Sequence, residues 1–420
     1  MSGPNPRAAA VAALVRQEQD GFSNLILDAE LRRQKLEGRD KAFASAIFYT
    51  VLERRGTLDY ILGQFLPKGL AKLDPQVREI LRAALAQARY MQVPASAAVN
   101  EAVKLTRTFK KASASGLVNA VLRRAIAYDL DTAVFSDAVE RLMVLGSAGR
   151  DVAAFLHASY PDEALDILTH TADGGLTSLR ANPLKGTPEA LCEKLLASGA
   201  KTAAPGLVPG SVLARFEGSP AESGLFREGY FHVEGQASQL AALCVEAKPG
   251  DTVLDLCAAP GGKSSQLAAA LRGQGLLVSN EYVAARAEIL KSNLERMGVP
   301  NAVVLNETPA RIAAALPEFF DRVLVDAPCS GEGMFRKEPA ALAQHCEALV
   351  KQCAELGADI LDSAAAALAP GGELVYSTCT FAPEEDEGQV AAFLQRHPEF
   401  TLADVLGKPM TVSYTHLTLP

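Results

Sequence analysis

Two textures of hydrophobic and polar positions divide the chain. Up to about residue 130, apolar residues recur every three or four positions in Ala- and Leu-rich segments with few Gly or Pro. That is the spacing of helices that each bury one stripe. DKAFASAIFYTVLERRGTLDYILGQF (40–65) reads as one long amphipathic helix with Asp40 at its N-cap. Asp74-Pro75 opens another, because proline is tolerated where a helix's first N–H would be unpaired anyway. Val93-Pro94 breaks the chain before SAAVNEAVKLTRTFKKASASGLVNAVLRRAI, which reads as two helices. The first 130 residues are therefore expected to form an all-helical bundle, and a helical connector follows over 131–172.

Residues 173–245 read as a small α+β segment. LTSLRANPLKGT (176–187) has a strand followed by an Asn-Pro turn, and GYFHVEG (229–235) reads as a second strand. From Asp251 the pattern becomes a regular alternation. The apolar runs TVLDLC, GLLVSNE, NAVVLNE, DRVLVDA and GELVYSTC are separated by helices expected to start near 263, 283, 308, 340 and 384. Near-continuous apolar strands alternating with helices predict a parallel sheet covered on both faces, a doubly wound, Rossmann-like α/β domain over 246–409. In such sheets ligands bind beyond the carboxyl ends of the strands. The five runs end at Cys257, Glu281, Glu307, Asp326 and Cys379, which places a candidate active site there.

Composition refines this picture. The 420 residues, 49% hydrophobic and 21% charged, suit a globular protein of two or three domains. The sequence lacks an unbroken apolar span of membrane length and the order of a signal peptide. Its seven cysteines are scattered without CxxC or zinc spacing, so no metal is expected. Reduced thiols point to the cytoplasm. The net charge of −8 conceals an asymmetry: residues 1–130 hold 20 Lys and Arg against 12 Asp and Glu, the remainder 21 against 37. A basic first third suits a polyanionic partner.

LDLCAAPGGKSSQLAAAL (254–271) resembles a phosphate-binding loop, which would make the protein a triphosphatase. Aligned on Gly262-Lys263-Ser264, however, the essential first glycine of GxxxxGK[ST] falls on Cys257, and a rigid proline stands inside the turn. The glycine pair still admits close backbone approach, and the helix after it offers its N-terminus to an anionic group. Glu281 suits a ribose diol, while Glu307 and Asp326 flank the place of an adenine. A nucleoside with a short charged tail fits better than a triphosphate, and S-adenosylmethionine is such a molecule.

Asp326-Ala327-Pro328-Cys329-Ser330 and Ser377-Thr378-Cys379-Thr380 place two thiols past consecutive strand ends. Pyrimidine chemistry supplies a use for a thiol there. The C5 carbon of cytosine is a poor nucleophile, and a thiolate adding to C6 makes the base an enamine that is nucleophilic at C5. A base must later remove the C5 proton so that the thiolate leaves. Asp326, protonated or bridged, is suited to the N3/N4 edge of the base. Spacing leaves open which cysteine attacks.

LDLCAAPGGKSSQ, VDAPCSGEGMFRKEP and LVYSTCTFAPEEDE resemble the motifs of the RNA cytosine-5 methyltransferases. GRDKAFASAIFYTVLERR, VPASAAVNEAVKL and GLVNAVLRR resemble the NusB-like RNA-binding domain of the bacterial 16S ribosomal RNA branch, the RsmB (Sun/Fmu) type. LRANPLK and REGYFHVEGQASQLAA resemble the segment that precedes its catalytic core. The resemblance implies that Cys257, Ala258, Ala259, Pro260, Gly261, Gly262 and Lys263 bind the methionine part of S-adenosylmethionine. It gives Glu281 the ribose, and puts Glu307 and Asp326 near the adenine and the transferring methyl. Cys379 becomes the nucleophile, and Cys329 the residue that helps release product. The implied partner is 16S rRNA or a partly assembled small subunit, met by a monomer. The target base must be turned out to reach Cys379.

Three features depart from that pattern. Glu stands at both 281 and 307 where Asp is usual. NEYVAARA and SGEGMFRKEP lean towards the RsmF branch, which modifies another position of the same RNA, while Arg336 and Lys337 suit RNA phosphates. TVSYTHLTLP replaces the expected closing strand pair, so residues 410–420 read as a non-native or truncated tail and one sheet edge is expected to be unpaired. A non-catalytic RNA-binding scaffold is the alternative from another class.

Overall fold

The computed structural model describes residues 5–20, 23–169, 176–216, 218–334 and 345–403. The described residues form two compact units, those up to 169 with 334, 345 and 346, and those over 176–333 with 347–403.

The first unit is helical: α1 (Pro6–Asp20), α2 (Ser23–Arg33), α3 (Gly38–Glu53), α4 (Arg55–Gly63), α5 (Pro75–Tyr90), α6 (Ala95–Thr108) and α7 (Ser115–Ile126). Their apolar stripes converge on one core in which Leu14, Ile47, Phe48, Leu58, Leu81 and Leu122 are fully buried. The single helix expected over 40–65 is broken at Arg54 (φ −108, ψ 15), between α3 and α4. Long-range hydrogen bonds accompany the break. Thr57 Oγ1 donates to the Val144 carbonyl at 2.5 Å, and the Gly56 N–H donates to Ser147 Oγ at 2.7 Å. Helical periodicity continues through such a break, so the pattern alone did not reveal it. Asp40 is not the cap either. Glu37 occupies that position in extended backbone, and Asp40 lies in the first turn, where a carboxylate still favours the positive helix end. Asp74 does cap α5, accepting from the Gln76 N–H at 3.0 Å.

A buried guanidinium stitches this bundle. Arg82 of α5 donates to both carboxylate oxygens of Asp59 on α4 at 2.7 Å, and to Glu18 on α1 at 2.8 Å. Bidentate pairing of this kind fixes orientation as well as proximity. Helices α8 (Ala138–Leu145), α9 (Arg150–Ser159) and α10 (Ala164–Thr169) belong to the same unit, with α8 packed on α4.

The second unit begins with an antiparallel sheet of order β2-β3-β1-β4, built from β1 (Thr177–Ala181), β2 (Thr202–Pro205), β3 (Ser211–Arg215) and β4 (Phe231–Val233). Between β1 and β2, α11 (Pro188–Ala197) packs Leu191 and Leu195 against Leu179, Val212 and Phe231. Short α12 (Gly224–Arg227) and α13 (Gln236–Leu243) lead to the larger sheet.

That sheet is wholly parallel, in the order β7-β6-β5-β8-β9. Its elements are β5 (Thr252–Asp255), α14 (Gly262–Ala270), β6 (Leu276–Asn280), α15 (Ala284–Met297), β7 (Ala302–Leu305), α16 (Pro309–Ala315), β8 (Phe320–Asp326), α17 (Glu347–Ala367), β9 (Leu368–Ser377) and α18 (Glu387–Arg396). Alternate strand residues point to opposite faces. Leu254, Val323 and Val325 meet Ile360 and Ala364 of α17, while Val253, Leu277 and Leu324 meet Leu267 and Leu271 beside α14. Both faces are thereby covered, as the apolar runs require. The fold is α/β, doubly wound and Rossmann-like, preceded by an all-α domain.

The order of strands reverses between β5 and β8, so the carboxyl ends diverge there into the crevice that such sheets use for ligands. Among the described residues β9 pairs only with β8. Its outer side borders an apolar groove lined by Leu240, Leu361, Phe393 and Phe400. The helix expected to start near 340, Arg336 and Lys337, and the 410–420 tail lie outside the described residues.

Arg180 of β1 is the polar centre of the second unit's first half. Almost fully buried, it pairs with Glu234 at 2.9 Å and donates to the Gly262 carbonyl and Ser265 Oγ of α14 at 3.2 and 2.5 Å. Removing one member of a buried pair leaves the other charged without compensation. Arg180→Leu is expected to destabilise this unit by about 3–5 kcal/mol, measured by urea unfolding. A loss under about 1 kcal/mol, the worth of an exposed pair, would refute that role.

Candidate active site

The turn after β5 is shaped by backbone rather than by side chains. Gly261 sits at φ +105 as the N-cap of α14, and an added Cβ would come within 2.9 Å of Leu290 Cδ1. At Gly262 a Cβ would lie 2.7 Å from Glu234 Oε1. Only glycine therefore satisfies both positions. The turn is held from outside: Arg286 donates to the Ala259 carbonyl at 3.1 Å, and Asn293 donates to the Pro260 carbonyl at 2.8 Å. Ala258 is buried and its N–H donates to the Asn280 carbonyl at 2.8 Å. Burial raises the pKa of the Cys257 thiol, which therefore stays neutral.

Glu281 follows the last residue of β6. Its carboxylate is buried, accepts from the Val283 N–H at 2.8 Å, and lies 3.4 Å from Arg286. Glu307, just past β7, is more open and pairs with Arg311 at 2.8 Å. Asn280 escaped the sequence reading although it ties the strand tips together. Its Nδ2 donates to the Leu256 and Glu307 carbonyls, and its Oδ1 accepts from the Glu307 N–H. An Asn beside an acidic residue carries no sequence signal of that role.

Asp326 ends β8 directly opposite Ser377 of β9. Its carboxylate accepts from Ser377 Oγ and from Lys263 Nζ, both at 2.8 Å. Lys263 thus belongs to two groups, its backbone to the glycine turn and its ammonium to the β8 tip. Asp326 is bridged, one of the two states anticipated for it.

Cys329 and Cys379, fifty residues apart, meet with their sulfurs 3.4 Å apart. The contact with Cys329 lowers the Cys379 pKa; burial and Asp326 oppose that shift, and Lys263 supports it. The same contact, followed by burial, raises the pKa of Cys329. The Cys379 N–H donates to Cys329 Sγ at 3.3 Å, which favours the opposite assignment. Of the two thiols, Cys379 is thus the more readily ionised and Cys329 the less.

Arg180 and Glu234, behind the glycine turn, and Glu332 and Glu385, behind the cysteines, also escaped the sequence reading. Every one of them is buried by partners at least 48 residues away or by a turn of its own. Charged residues in isolation read as exposed, so no local signal marked them.

A glycine turn, an acidic residue beyond β6 and a bridged acid at the switch point define a Rossmann-like domain of the methyltransferase class. Residues 242–416 match the family described as "16S rRNA methyltransferase RsmB/F", and residues 4–127 match the "NusB family". "Probable ribosomal RNA small subunit methyltransferase B" of Bacillus subtilis is 31% identical over 95% of this chain and 90% of its own length. The Thermus thermophilus "Ribosomal RNA small subunit methyltransferase B" is 33% identical over the same shares. A "Ribosomal RNA small subunit methyltransferase F" from Vibrio campbellii is 41% identical over 50% of this chain and 45% of its own. The solved structure "Crystal Structure of PH0851" superposes with a TM-score of 0.76 at 25% identity, covering 96% of this chain and 92% of that one. The chain belongs to the RsmB/F family of 16S rRNA methyltransferases, with a NusB-like N-terminal domain.

Asp255 ends β5 wholly buried, accepting from Ser264 Oγ at 2.6 Å, while its Oδ1 has no hydrogen-bond partner. Burial raises its pKa to about 7, against the Ser264 hydrogen bond. The folded state thus holds this proton more tightly than the unfolded chain, where the value is about 4. The stability it contributes is complete below about pH 4 and is lost as the pH rises through about 7. Asp255→Asn is expected to remove a slope of up to about 1.4 kcal/mol per pH unit between pH 5 and 7. Parallel stability–pH curves for the two proteins would contradict it.

Proposed function

We propose that this chain transfers a methyl group from S-adenosylmethionine to C5 of a cytosine in 16S rRNA, through a covalent bond from Cys379 to C6. The observation that carries the reading is the 3.4 Å contact between Cys329 and Cys379, beside an Asp326 bridged to Lys263 of the glycine turn. An RNA-binding scaffold has no use for a stabilised thiolate at a strand tip.

The residues present fit the cofactor. The 257–263 turn brings bare backbone to the N-terminus of a nine-residue helix, suited to the carboxylate of a methionine moiety. Glu281, held by the Val283 N–H, presents a fixed acceptor for a ribose diol, and its extra methylene relative to Asp is absorbed by that local bond. Glu307 and Asp326 complete the binding set. When bound, S-adenosylmethionine supplies an electrophilic methyl group.

The protein's own part is nucleophilic catalysis. The Cys379 thiolate adds to C6, and electron density moves to C5. Asp326, its charge shared with Lys263, faces the N3/N4 edge and relieves charge on the adduct. After methylation a base, with water as the simplest acceptor, takes the C5 proton; the C–H electron pair restores the C5–C6 double bond, and the C6–S bond breaks with sulfur leaving as thiolate. Cys329 donates its S–H to that sulfur, the same contact that stabilises it as nucleophile. It thereby assists release.

In this reading residues 1–130 bind RNA, 131–172 connect, 173–245 support the glycine turn, and 246–409 form the catalytic domain. The enzyme acts in the cytoplasm as a monomer, on 16S rRNA or a partly assembled small subunit. RsmB-type rather than RsmF-type site choice is favoured because the type B relatives match 95% of the chain and the type F relative about half.

Labelled methyl transfer to unmodified small-subunit RNA tests this, with products also run on denaturing gels. Cys379→Ala is expected to be inactive, and Cys329→Ala to accumulate a protein–RNA adduct. Full activity in both variants would exclude the covalent mechanism, and no transfer by folded wild type would leave the scaffold as the correct account.

A further inference from the structure

Cys329 and Cys379 ride on separate loops, and a polar cluster behind them sets their separation. Ser330 and Thr380, the residues after each cysteine, are buried with their hydroxyl oxygens 3.0 Å apart. Glu332 and Glu385 close the cluster, only 2% and 1% exposed. Glu332 Oε1 lies 2.8 Å from Ser330 Oγ, while Oε2 contacts Thr380 Oγ1 and accepts from the Phe381 N–H at 3.2 Å. Glu385 Oε1 contacts Ser330 Oγ, and Oε2 accepts from the Ser330 N–H at 2.9 Å. The loops are pinned once more by the Gly333 N–H, which donates to the Cys379 carbonyl at 2.8 Å.

A proton count assigns the charges. Four contacts join the hydroxyl oxygens to carboxyl oxygens, the longest from Thr380 Oγ1 to Glu385 Oε1 at 3.5 Å, and the two hydroxyls supply two protons. A further proton must sit on a carboxyl group. Two unscreened carboxylates at this separation do not both ionise. Glu332 meets both hydroxyls at short range and accepts a backbone N–H, so it keeps the charge; Glu385 meets Thr380 only at 3.5 Å, accepts one N–H and carries the proton, which it donates to Ser330 Oγ. Burial raises the Glu385 pKa, in the same sense.

We propose that Glu332 as carboxylate and Glu385 as neutral acid are positioning residues, a proton-linked latch that holds the Cys329 and Cys379 loops at thiol contact. The idea rests on Cys379 being the nucleophile, as read above.

Glutamine distinguishes the two positions. At 385 an amide reproduces the neutral acid, its NH2 donating to Ser330 Oγ and its carbonyl accepting from the Ser330 N–H. At 332 the NH2 faces donors that need acceptors. The full chain is compared as wild type, Glu332→Gln, Glu385→Gln and Glu385→Leu. The readouts are kcat and KM for methyl transfer and the rate of iodoacetamide alkylation at Cys379, located by mass spectrometry. Folding is checked by thermal melting. Glu385→Gln is expected to match wild type in both readouts. Glu332→Gln and Glu385→Leu should lose kcat by about tenfold or more at unchanged KM for RNA, with slower alkylation of Cys379. Equal impairment of the two glutamine variants, or a wild-type Glu332→Gln, overturns the latch. If Glu332→Gln does not fold, Glu385→Gln against Glu385→Leu decides, and equal activity overturns it. Should wild type transfer no methyl, the proposed function fails, while alkylation rates still decide the latch by the same ordering.

Discussion

A slip of one residue in the parallel ladder between β8 and β9 would turn every side chain of one strand to the opposite face. The register places Asp326 opposite Ser377, and the chemistry at the strand tips follows from that pairing. Three residues beyond Asp326 comes Cys329, and two beyond Ser377 comes Cys379, so both loops leave the sheet from adjacent points and converge. What fixes the register is burial. Val323 and Val325 must face α17 while Leu324 faces α14, and a slip would set each against the wrong partners and pull Arg322 from Asp251 and the Val245 carbonyl. The hydrophobic pattern that makes the strand thus also aims the acid and the thiols.

Around that ladder the protein buries an unusual set of charges, each in a way that serves the tips of the strands. Arg180 and Glu234 neutralise one another behind the glycine turn and satisfy the Gly262 carbonyl. Lys263 and Asp326 join that turn to the β8 tip. Asp255 stays largely protonated below its raised pKa of about 7. Replacing such groups with apolar side chains is often neutral or favourable for stability. Their presence is better understood as a requirement for direction: an apolar contact tolerates sliding, whereas a bidentate or shared-proton contact does not.

The fold was legible because it rests on local periodicity. The five apolar runs became β5 to β9, and the Cys257, Glu281, Glu307, Asp326 and Cys379 positions lie at or within two residues of the strand ends. Cys379 and Cys329 stood out because reactive residue types recurred at equivalent places in successive βα units. The break at Arg54 was invisible because α3 and α4 keep one helical phase, and its fixing contacts come from residues 144 and 147. Strands β2 and β3 were missed for a related reason: short and Ala-containing, they depend on pairing with β1 rather than on intrinsic preference. Asn280, Arg180, Glu332 and Glu385 are polar residues whose burial is decided by distant parts of the chain.

The split of charge along the sequence acquires a meaning from this architecture. The part of the chain after residue 130 carries 21 Lys and Arg against 37 Asp and Glu, a poor surface for drawing in a polyanion. The first 130 residues have the opposite balance. Affinity for RNA comes largely from phosphate neutralisation and is indifferent to sequence, while discrimination between bases comes from the contacts at the reacting site. Placing the general attraction in a helical module leaves the parallel sheet free to hold acids at its strand tips. The acidic catalytic half and its basic companion are therefore two parts of one electrostatic design.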